Sequence, residues 1–253
     1  MGALDGKVAI ITGAGGGIGK ATAIVFAKEG AALALVDVNG ETVASAAREV
    51  SALGARAIGV ACDVQERAQV IAAVQKTVEA FGGVDILVQY AQAIPPVSPL
   101  DAVSEEDLVA AWRSGVIGGV FFMQACFPHM RDRGGGKIVN VGSGAGVRGS
   151  VNRAAYDIAK EGVRGMTKVA ANEWGKHNIT VNVICPAADT AALDKWRRRS
   201  PEEYEASLKS IPMGRIGDPE LDIGRAVLAL VGSDLRYLTG ASIMLDGGSI
   251  LIS

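Results

Sequence analysis

Cysteine and histidine are scarce in this sequence. Cysteine occurs at Cys62, Cys126 and Cys185, an odd number without a C-x-x-C pair, and the two histidines, His129 and His177, form no metal-ligand spacing. A disulfide framework and a zinc site are therefore not expected, and no metal site is predicted. Widely spaced cysteines without a disulfide framework suit a reducing compartment, which we expect to be the cytoplasm.

An excess of charge of one sign and a long apolar run are also missing. The chain has 25 Lys and Arg against 27 Asp and Glu, and its only dense basic run, Trp196 to Arg199, is too short to form the basic face of a nucleic-acid binder. No apolar run reaches the roughly 18 residues that span a bilayer, and the N-terminal segment, Met1 to Lys7, is short and polar. We expect a soluble, unexported protein with no nucleic-acid or membrane partner.

What the sequence does have is an alternation of short apolar runs with longer amphipathic stretches. Strands that alternate with helices can pair in parallel through crossovers, and continuously apolar strands fit a sheet covered by helices on both faces. No linker or repeat interrupts the 253 residues, so we predict one α/β domain over 1–253 with a doubly wound, seven-stranded parallel sheet. The predicted strands are 8–11, 32–36, 57–62, 86–88, 137–141, 180–184 and 242–245, and the predicted helices are 18–29, 41–52, 65–81, 104–131, 152–176 and 220–232.

One irregular stretch, about 187–219, lies between the sixth strand and the last helix. Ligands of open α/β sheets bind beyond the carboxyl ends of strands, so this stretch is predicted to be a substrate lid. Its apolar residues, Leu193, Trp196, Tyr204 and Met213, suggest a bulky substrate. Its arginines, 197–199, could hold an anionic group, but a solvated helical face shared with nearby glutamates is the simpler interpretation.

A glycine-rich loop, Thr12 to Gly19, follows the first strand and leads directly into a helix. Glycines allow a tight turn and close approach to a pyrophosphate, and a helix N-terminus supplies unpaired N–H groups. The spacing is G-x-x-x-G-x-G, formed by Gly13, Gly17 and Gly19, with Ile18 between the last two. We predict a dinucleotide-binding loop; a merely flexible turn is the alternative.

Asp37 ends the second strand, 18 residues after Gly19. A carboxylate at this position accepts hydrogen bonds from the adenosine ribose hydroxyls and repels the 2′-phosphate of NADP. No arginine lies beside it in Val36 to Asn39, so the cofactor is predicted to be NAD. An acid that only caps the turn into the next helix is the other interpretation.

Tyr156 and Lys160 are four residues apart in a helical stretch and therefore share one face. A lysine ammonium favours the phenolate of a nearby tyrosine, so Tyr156 is predicted to be the general acid/base. Ser143 closes the fifth strand, where its hydroxyl can hold the reacting oxygen, and Gly144 to Ser150 is expected to be a loop. Each signal alone is typical of an ordinary helix face or turn, but together with the glycine loop they predict hydride transfer between NAD and a secondary alcohol or ketone.

In these motifs and in its length, the whole chain resembles the short-chain dehydrogenases/reductases. Further matches are Cys62-Asp63-Val64, where the family aspartate contacts adenine, and Asp246-Gly247-Gly248. The resemblance implies a seven-stranded Rossmann fold, a homodimer or homotetramer, and cofactor contacts from Asp63 and Val64. It also implies that Lys160 binds the nicotinamide ribose beside Tyr156, and that Ile184-Cys185-Pro186 borders the nicotinamide.

The sequence departs from the family pattern after the fourth strand. Gln89-Tyr90-Ala91-Gln92 replaces the usual Asn-Asn-Ala-Gly beside the adenosine ribose, where Ala91 is expected to contact the cofactor. Val116 falls near the helical asparagine that commonly completes a proton relay. Two hypotheses follow: an enzyme whose relay is rerouted through Gln89 or Tyr90, or a catalytically weakened NAD-binding scaffold or sensor.

Overall fold

A computed structural model describes residues 2–251 and contains one seven-stranded sheet. The strands are β1 (Val8–Thr12), β2 (Ala32–Asp37), β3 (Ala57–Ala61), β4 (Ile86–Gln89), β5 (Gly136–Val141), β6 (Ile179–Pro186) and β7 (Ser242–Leu245). All pair in parallel, in the order β3-β2-β1-β4-β5-β6-β7. This is the Rossmann strand order with a seventh strand at the edge, and it confirms the predicted fold class.

The central strands are apolar along their length because both faces of the sheet are covered. Every residue of β1 and of β4 is buried. Successive side chains of a strand point to opposite faces, so Ile10 packs into one core cluster while Ala9 and Ile11 pack into the other. A strand buried in this way has no polar side, which is why the apolar runs were continuous in the sequence.

Helices lie on both faces of the sheet. One core cluster contains residues of α1 (Gly17–Lys28), α2 (Gly40–Ser51) and α10 (Arg225–Val231). The opposite cluster contains residues of α3 (Arg67–Phe81), α5 (Gly118–Asp132) and α7 (Ala154–Trp174). The remaining helices are α4 (Glu105–Trp112), α6 (Gly144–Arg148), α8 (Ala191–Arg199) and α9 (Pro201–Lys209).

The structure differs from the predicted elements in four places. The predicted helix 220–232 begins as a π-helical segment, Pro219–Gly224, and only its second part is the α-helix α10. The predicted helix 104–131 is interrupted by a π-helical segment, Arg113–Ile117, between α4 and α5. The expected loop after Ser143 contains the short helix α6, and the irregular stretch 187–219 contains α8 and α9. A π-segment leaves the apolar pattern of a helix nearly unchanged, and the shorter helices have too few turns for a periodicity to emerge.

The continuous helical run Glu105–Asp132 is long and apolar enough to cross a membrane by length and composition. In this fold several of its apolar residues belong to the core: Phe122, Met123, Cys126 and Met130 are buried against the sheet and its neighbouring helices. Helices that pack inside an α/β domain pass the same test, so the run is weak evidence for a membrane span.

A buried polar network joins the middle of the sheet to α7. The side-chain oxygen of Asn140 accepts a hydrogen bond from Gln89 Nε2 at 2.8 Å, and its Nδ2 donates to Thr167 Oγ1 at 2.9 Å. Thr167 in turn donates to the carbonyl of Val163 at 2.8 Å. Because Asn140 precedes Val141 at the end of β5, the network fixes α7 against the strand end where the site lies.

Replacing Asn140 with Ala should destabilise the protein by about 2 to 4 kcal/mol, because it removes two hydrogen bonds and leaves the Gln89 amide buried without its acceptor. Urea unfolding of the variant measures this loss. Urea unfolding should also be measured for Thr167→Val and for the double variant. The double variant should lose less unfolding free energy than the sum of the two single losses, since the two side chains share one hydrogen bond. Strict additivity would contradict the network.

Candidate active site

The loops at the carboxyl ends of the strands surround a cleft of about 820 Å³. Its walls come from the glycine loop, the segment after β4, the end of β5, α7, the end of β6 and the stretch that follows it. The residues that line it are Gly13, Gly16, Ile18, Gly19, Tyr90, Gln92, Ile94, Val97, Val141, Gly142, Arg153, Tyr156, Lys160, Pro186, Ala187, Ala188, Thr190, Leu193, Trp196 and Ile216. Parallel strands bring these segments to one edge, as expected for a ligand site of an open α/β sheet.

The glycine loop has a shape that only glycine permits at two positions. Gly13 has φ +67°, and a Cβ there would lie 2.8 Å from the backbone nitrogen of Ala91. A Cβ on Gly19 would overlap the carbonyl oxygen of Gly13. Helix α1 begins at Gly17, and its N-cap, Gly16, has no side chain to pair with the first N–H groups. The loop therefore presents unpaired donors to the cleft and fits an anionic diphosphate.

Asp37 stands beside this loop. Its carboxylate accepts hydrogen bonds from the backbone N–H of Gly15 at 3.0 Å and of Asn39 at 3.1 Å. The cap of α2 is Asn39, whose side chain accepts from the N–H groups of Glu41 and Thr42. Asp37 is therefore not the helix cap, and its contact with Gly15 puts a carboxylate against the loop that would hold the diphosphate.

The remaining residues predicted to bind the cofactor lie on the same edge of the sheet. Asp63 follows β3 and accepts from the N–H of Gln65 at 2.9 Å, and Val64 is buried next to it. Ala91 donates its N–H to Thr12 Oγ1 at 3.2 Å, which holds the segment after β4 against the glycine loop. Pro186 ends β6 and lines the cleft.

Ser143, Tyr156 and Lys160 come together at the end of β5. Ser143 caps α6, where its Oγ accepts from the N–H of Ala145 at 3.1 Å, and its hydroxyl lies close enough to Tyr156 to favour the phenolate by hydrogen bonding. Lys160 is 4% exposed and donates from Nζ to the carbonyl of Val141 at 2.8 Å. Its Nζ lies 5.5 Å from the centre of the Tyr156 ring. The alanine-rich start of α7 favours the helix that sets the four-residue spacing.

The pKa of Tyr156 is raised, whereas the neighbouring lysine in the sequence suggested that it would be lowered. Burial raises the pKa of Tyr156, while the hydrogen bond to Ser143 and the positive charge of Arg153 act in the opposite direction and only partly offset it. Desolvation penalises the charged phenolate. The sequence showed the neighbouring lysine but not the depth of burial, which here is the larger effect.

Lys160 is perturbed by the same burial. Withdrawal from water lowers the pKa of Lys160 to about 8, against an ordinary value of 10.5. The Val141 carbonyl accepts one of its hydrogen bonds. The amine is therefore close to its titration point at slightly alkaline pH, a state common among groups that take part in proton transfer.

The segment that departs from the family pattern is held by specific contacts. Gln89 is engaged with Asn140, and Tyr90 Oη shares a hydrogen bond with Thr22 Oγ1 at 2.8 Å. Burial raises the pKa of Tyr90. Both side chains suggested for a rerouted relay are thus bound inside the protein and turned to other partners.

Gln92 occupies a different environment from its neighbours. Its carboxamide is buried, packs on Gly115 of the π-helical segment and makes no hydrogen bond to any of residues 2–251. Together with Lys160 it lines a small cavity of about 10 Å³, the size that holds one water molecule. Val116 is only 8% exposed and packs with Val163 and Val183, so no polar side chain comes from that position.

Sequence reasoning missed Arg153. Its guanidinium carbon lies 4.6 Å from the centre of the Tyr156 ring, and the residue lines the cleft. Its spacing from Tyr156 could have indicated this role. A residue three positions before Tyr156 at the start of a helix lies on the same helix face as Tyr156.

Two of the three arginines at 197–199, Arg197 and Arg198, are paired on the surface. Arg197 bonds to Asp194 and lies 3.6 Å from Asp189, and Arg198 bonds to Asp194 at 2.8 Å. Their partners are aspartates of the same stretch, which favours the solvated-face interpretation over an anion site. Leu193 and Trp196 line the cleft, as their apolar character suggested.

Comparisons with known proteins agree with this geometry. A family model described as enoyl-(acyl carrier protein) reductase matches residues 13–249. A 12α-hydroxysteroid dehydrogenase of Clostridium sp. is 42% identical over 255 residues, covering 98% of each chain. An NAD⁺-bound xylitol dehydrogenase superposes with TM-score 0.91 at 32% identity, covering 97% of this chain and 99% of that one. A 7α-hydroxysteroid dehydrogenase complexed with NADH and 7-oxo glycochenodeoxycholic acid gives TM-score 0.91 at 33% identity, covering 97% and 94%.

The Rossmann sheet, its glycine loop and the polar groups at its carboxyl edge define a dinucleotide-binding α/β protein. The relatives reported above match nearly the whole chain and narrow this class to one family. The chain belongs to the short-chain dehydrogenase/reductase family.

The lowered pKa of Lys160 makes stability depend on pH. Between about pH 8 and 10.5 the unfolded lysine holds a proton that the folded one has lost, so this group adds stability as pH rises. The free energy of unfolding of the wild type minus that of Lys160→Met should therefore increase by up to about 3 kcal/mol across this window. Urea unfolding at pH 7.5 and 10.5 measures the change.

The matched control is Lys168→Met, at an exposed position on the same helix. Its difference from the wild type should stay nearly constant over the same pH range. A constant difference for Lys160→Met as well would mean that burial does not lower the pKa of this lysine.

Proposed function

We propose that this protein transfers a hydride between NAD and a secondary alcohol or ketone, with Tyr156 as the general acid/base. The chain is an oxidoreductase of the short-chain dehydrogenase/reductase family, whose members reported above are dehydrogenases that act on hydroxyl groups or the corresponding ketones. The observation that carries the finer proposal is that Tyr156 and Lys160 line one cleft with the glycine loop, while Ser143 lies next to Tyr156.

Each of the three residues has a separate role in this proposal. Tyr156 Oη takes the hydroxyl proton during oxidation and returns it to the oxygen during reduction. Ser143 Oγ, which lies next to the phenol, holds the reacting oxygen beside it. Lys160, fixed by the Val141 carbonyl, supplies a positive charge that favours the phenolate and binds the nicotinamide ribose.

The cofactor assignment rests on the loop and on Asp37. When bound, NAD supplies the hydride acceptor and NADH the donor. The residues present fit such a group: the glycine loop has unpaired donors for the diphosphate, and Asp37 offers a carboxylate for the adenosine ribose and repulsion for a 2′-phosphate. We propose that Gly13, Gly17, Ile18 and Gly19 contact the cofactor, together with Asp63, Val64, Ala91, Tyr156, Lys160 and Pro186.

The substrate proposed for this cleft is bulky and partly apolar. Ile94, Val97, Leu193, Trp196 and Ile216 line it on the side away from the glycine loop. Two relatives are named for hydroxysteroids, so secondary alcohols on fused rings form the first series of test substrates. Linear polyols form a polar series for comparison, because another relative is a xylitol dehydrogenase.

We further propose that the chain is one domain in which 187–219 acts as a substrate lid. The support is that α8 brings Leu193 and Trp196 to the cleft. A homodimer or homotetramer is also proposed, since α4 and α7 expose apolar side chains at Val109, Trp112 and Ile158. Location in the cytoplasm stays a prediction from the cysteine usage.

Tyr156→Phe should lower kcat for alcohol oxidation by about 10²- to 10⁴-fold, because it removes the proton acceptor while keeping the ring. Steady-state kinetics with NAD over the hydroxysteroid and polyol series measure it, and fluorescence titration checks that NAD still binds. The control is Tyr237→Phe, at a fully exposed tyrosine, which should keep wild-type rates.

Undiminished oxidation by Tyr156→Phe would rule out the proposed role of the phenol. A wild type that binds NAD but turns over no substrate of the series would instead favour the scaffold or sensor. The observation that supports this second function is the buried Gln92, which departs from the family pattern beside the adenosine ribose.

Asp37→Ala should raise the KM for NAD by about tenfold or more and reduce the preference for NAD over NADP. A hydrogen bond to a charged group contributes about 1.5 to 3 kcal/mol, and the repulsion of the 2′-phosphate disappears with the carboxylate. Glu41→Ala, which removes an exposed carboxylate nearby, is the matched control. Unchanged discrimination between the two cofactors would contradict the assignment.

A further inference from the structure

Arg153 presents a cation beside the reacting position. It directly precedes α7, is half-buried, and stacks on Tyr156 with its guanidinium carbon 4.6 Å from the ring centre. A guanidinium that covers an aromatic face keeps its N–H edge available for a planar acceptor. In this position the edge borders the cleft that the substrate enters.

Among residues 2–251 no carboxylate forms an ion pair with this edge, although the charge of Arg153 acts on the nearby carboxyl of Asp157 and tends to lower its pKa. Within the described part of the chain, Arg153 forms no ion pair and donates no side-chain hydrogen bond, and the residues that line the cleft include no Asp or Glu. The nearest acid in sequence, Asp157, accepts from the N–H of Ser150 at 2.7 Å. The other cation of the cleft, Lys160, is bonded to the Val141 carbonyl.

Several other arginines among residues 2–251 pair with carboxylates, whereas Arg56 and Arg67 lie over aromatic rings without an ion pair. Arg133 pairs with Asp85 at 3.0 Å and Arg164 with Glu161 at 2.7 Å, while Arg215 pairs with Asp222. A partly desolvated guanidinium without a counter-ion is unfavourable, and a ligand that brings one gains a charge-assisted, bidentate pair. The cleft therefore selects for an anion at this point.

We propose that the substrate is an amphipathic carboxylic acid whose carboxylate pairs with Arg153, close to the hydroxyl or keto carbon, while its apolar body lies along Ile94, Val97, Leu193 and Trp196. This inference rests on the proposed function and names its substrate class. A single planar fork provides two parallel N–H donors and one positive charge, which match the two oxygens and the single negative charge of a carboxylate. The arginine thus selects the acid over its neutral ester.

The test compares 3-hydroxydecanoate with methyl 3-hydroxydecanoate, using NAD as oxidant. Wild-type protein should show a higher kcat/KM for the acid, and Arg153→Gln should lower the acid-to-ester ratio by about ten- to hundredfold, mainly through KM. Arg153→Lys, which keeps the charge and loses the fork, should give an intermediate ratio. Arg148→Gln, an exposed arginine at the end of α6, should leave the ratio as in the wild type.

A binding measurement separates this inference from the proposed reaction. Decanoate should quench tryptophan fluorescence at lower concentration than methyl decanoate in the wild type, and Arg153→Gln should remove that difference. If this holds but no secondary alcohol is oxidised, neither this pair nor the hydroxysteroid and polyol series, the proposed function fails and the anion site stands.

An unchanged acid-to-ester ratio in Arg153→Gln would overturn the inference. So would an equal loss on both substrates accompanied by a shift of the pH profile, because that result assigns Arg153 to the acidity of Tyr156 and not to substrate recognition.

Discussion

The hydrogen bond from Lys160 Nζ to the Val141 carbonyl, 2.8 Å long, joins the helix that carries Tyr156 to the strand that ends next to Ser143. It brings a potentially charged group into the interior, which is tolerated because a backbone acceptor is in place. Behind it, Asn140 and Thr167 bind the same strand to the same helix. These hydrogen bonds hold the carboxyl end of β5 and the start of α7 together at the site.

Most of the fold could be predicted from the sequence because its strongest signals are local. Continuous apolar strands occur where both faces of a sheet are buried, and the glycine loop leaves a mark because Gly13 and Gly19 sit where a Cβ would overlap backbone atoms. The grouping of Ser143, Tyr156 and Lys160 was predictable for the same reason. A strand end and one helical turn fix their spacing, and both are set by short-range geometry.

The rest depended on packing, which a single sequence does not reveal. The π-segment at Arg113–Ile117 and the helix α6 follow from how neighbouring elements meet. The partners of the arginines at 197 and 198 proved to be aspartates, although the glutamates nearby were equally available in sequence. The direction in which the pKa of Tyr156 shifts could not be predicted from the sequence either, because it depends on how deeply the phenol is buried.

The cleft combines two opposing effects on one phenol. Burial keeps Tyr156 protonated, which suits it to donate a proton, whereas oxidation requires the phenolate. Arg153 over the ring and Lys160 one turn further along the helix supply positive charge from two sides, and a bound nicotinamide ring would add a third source. A substrate carboxylate that pairs with Arg153 would withdraw part of this charge. If both proposals hold, substrate recognition and the acidity of the phenol are coupled through one guanidinium, and the pH dependence of the reaction depends on the balance between them.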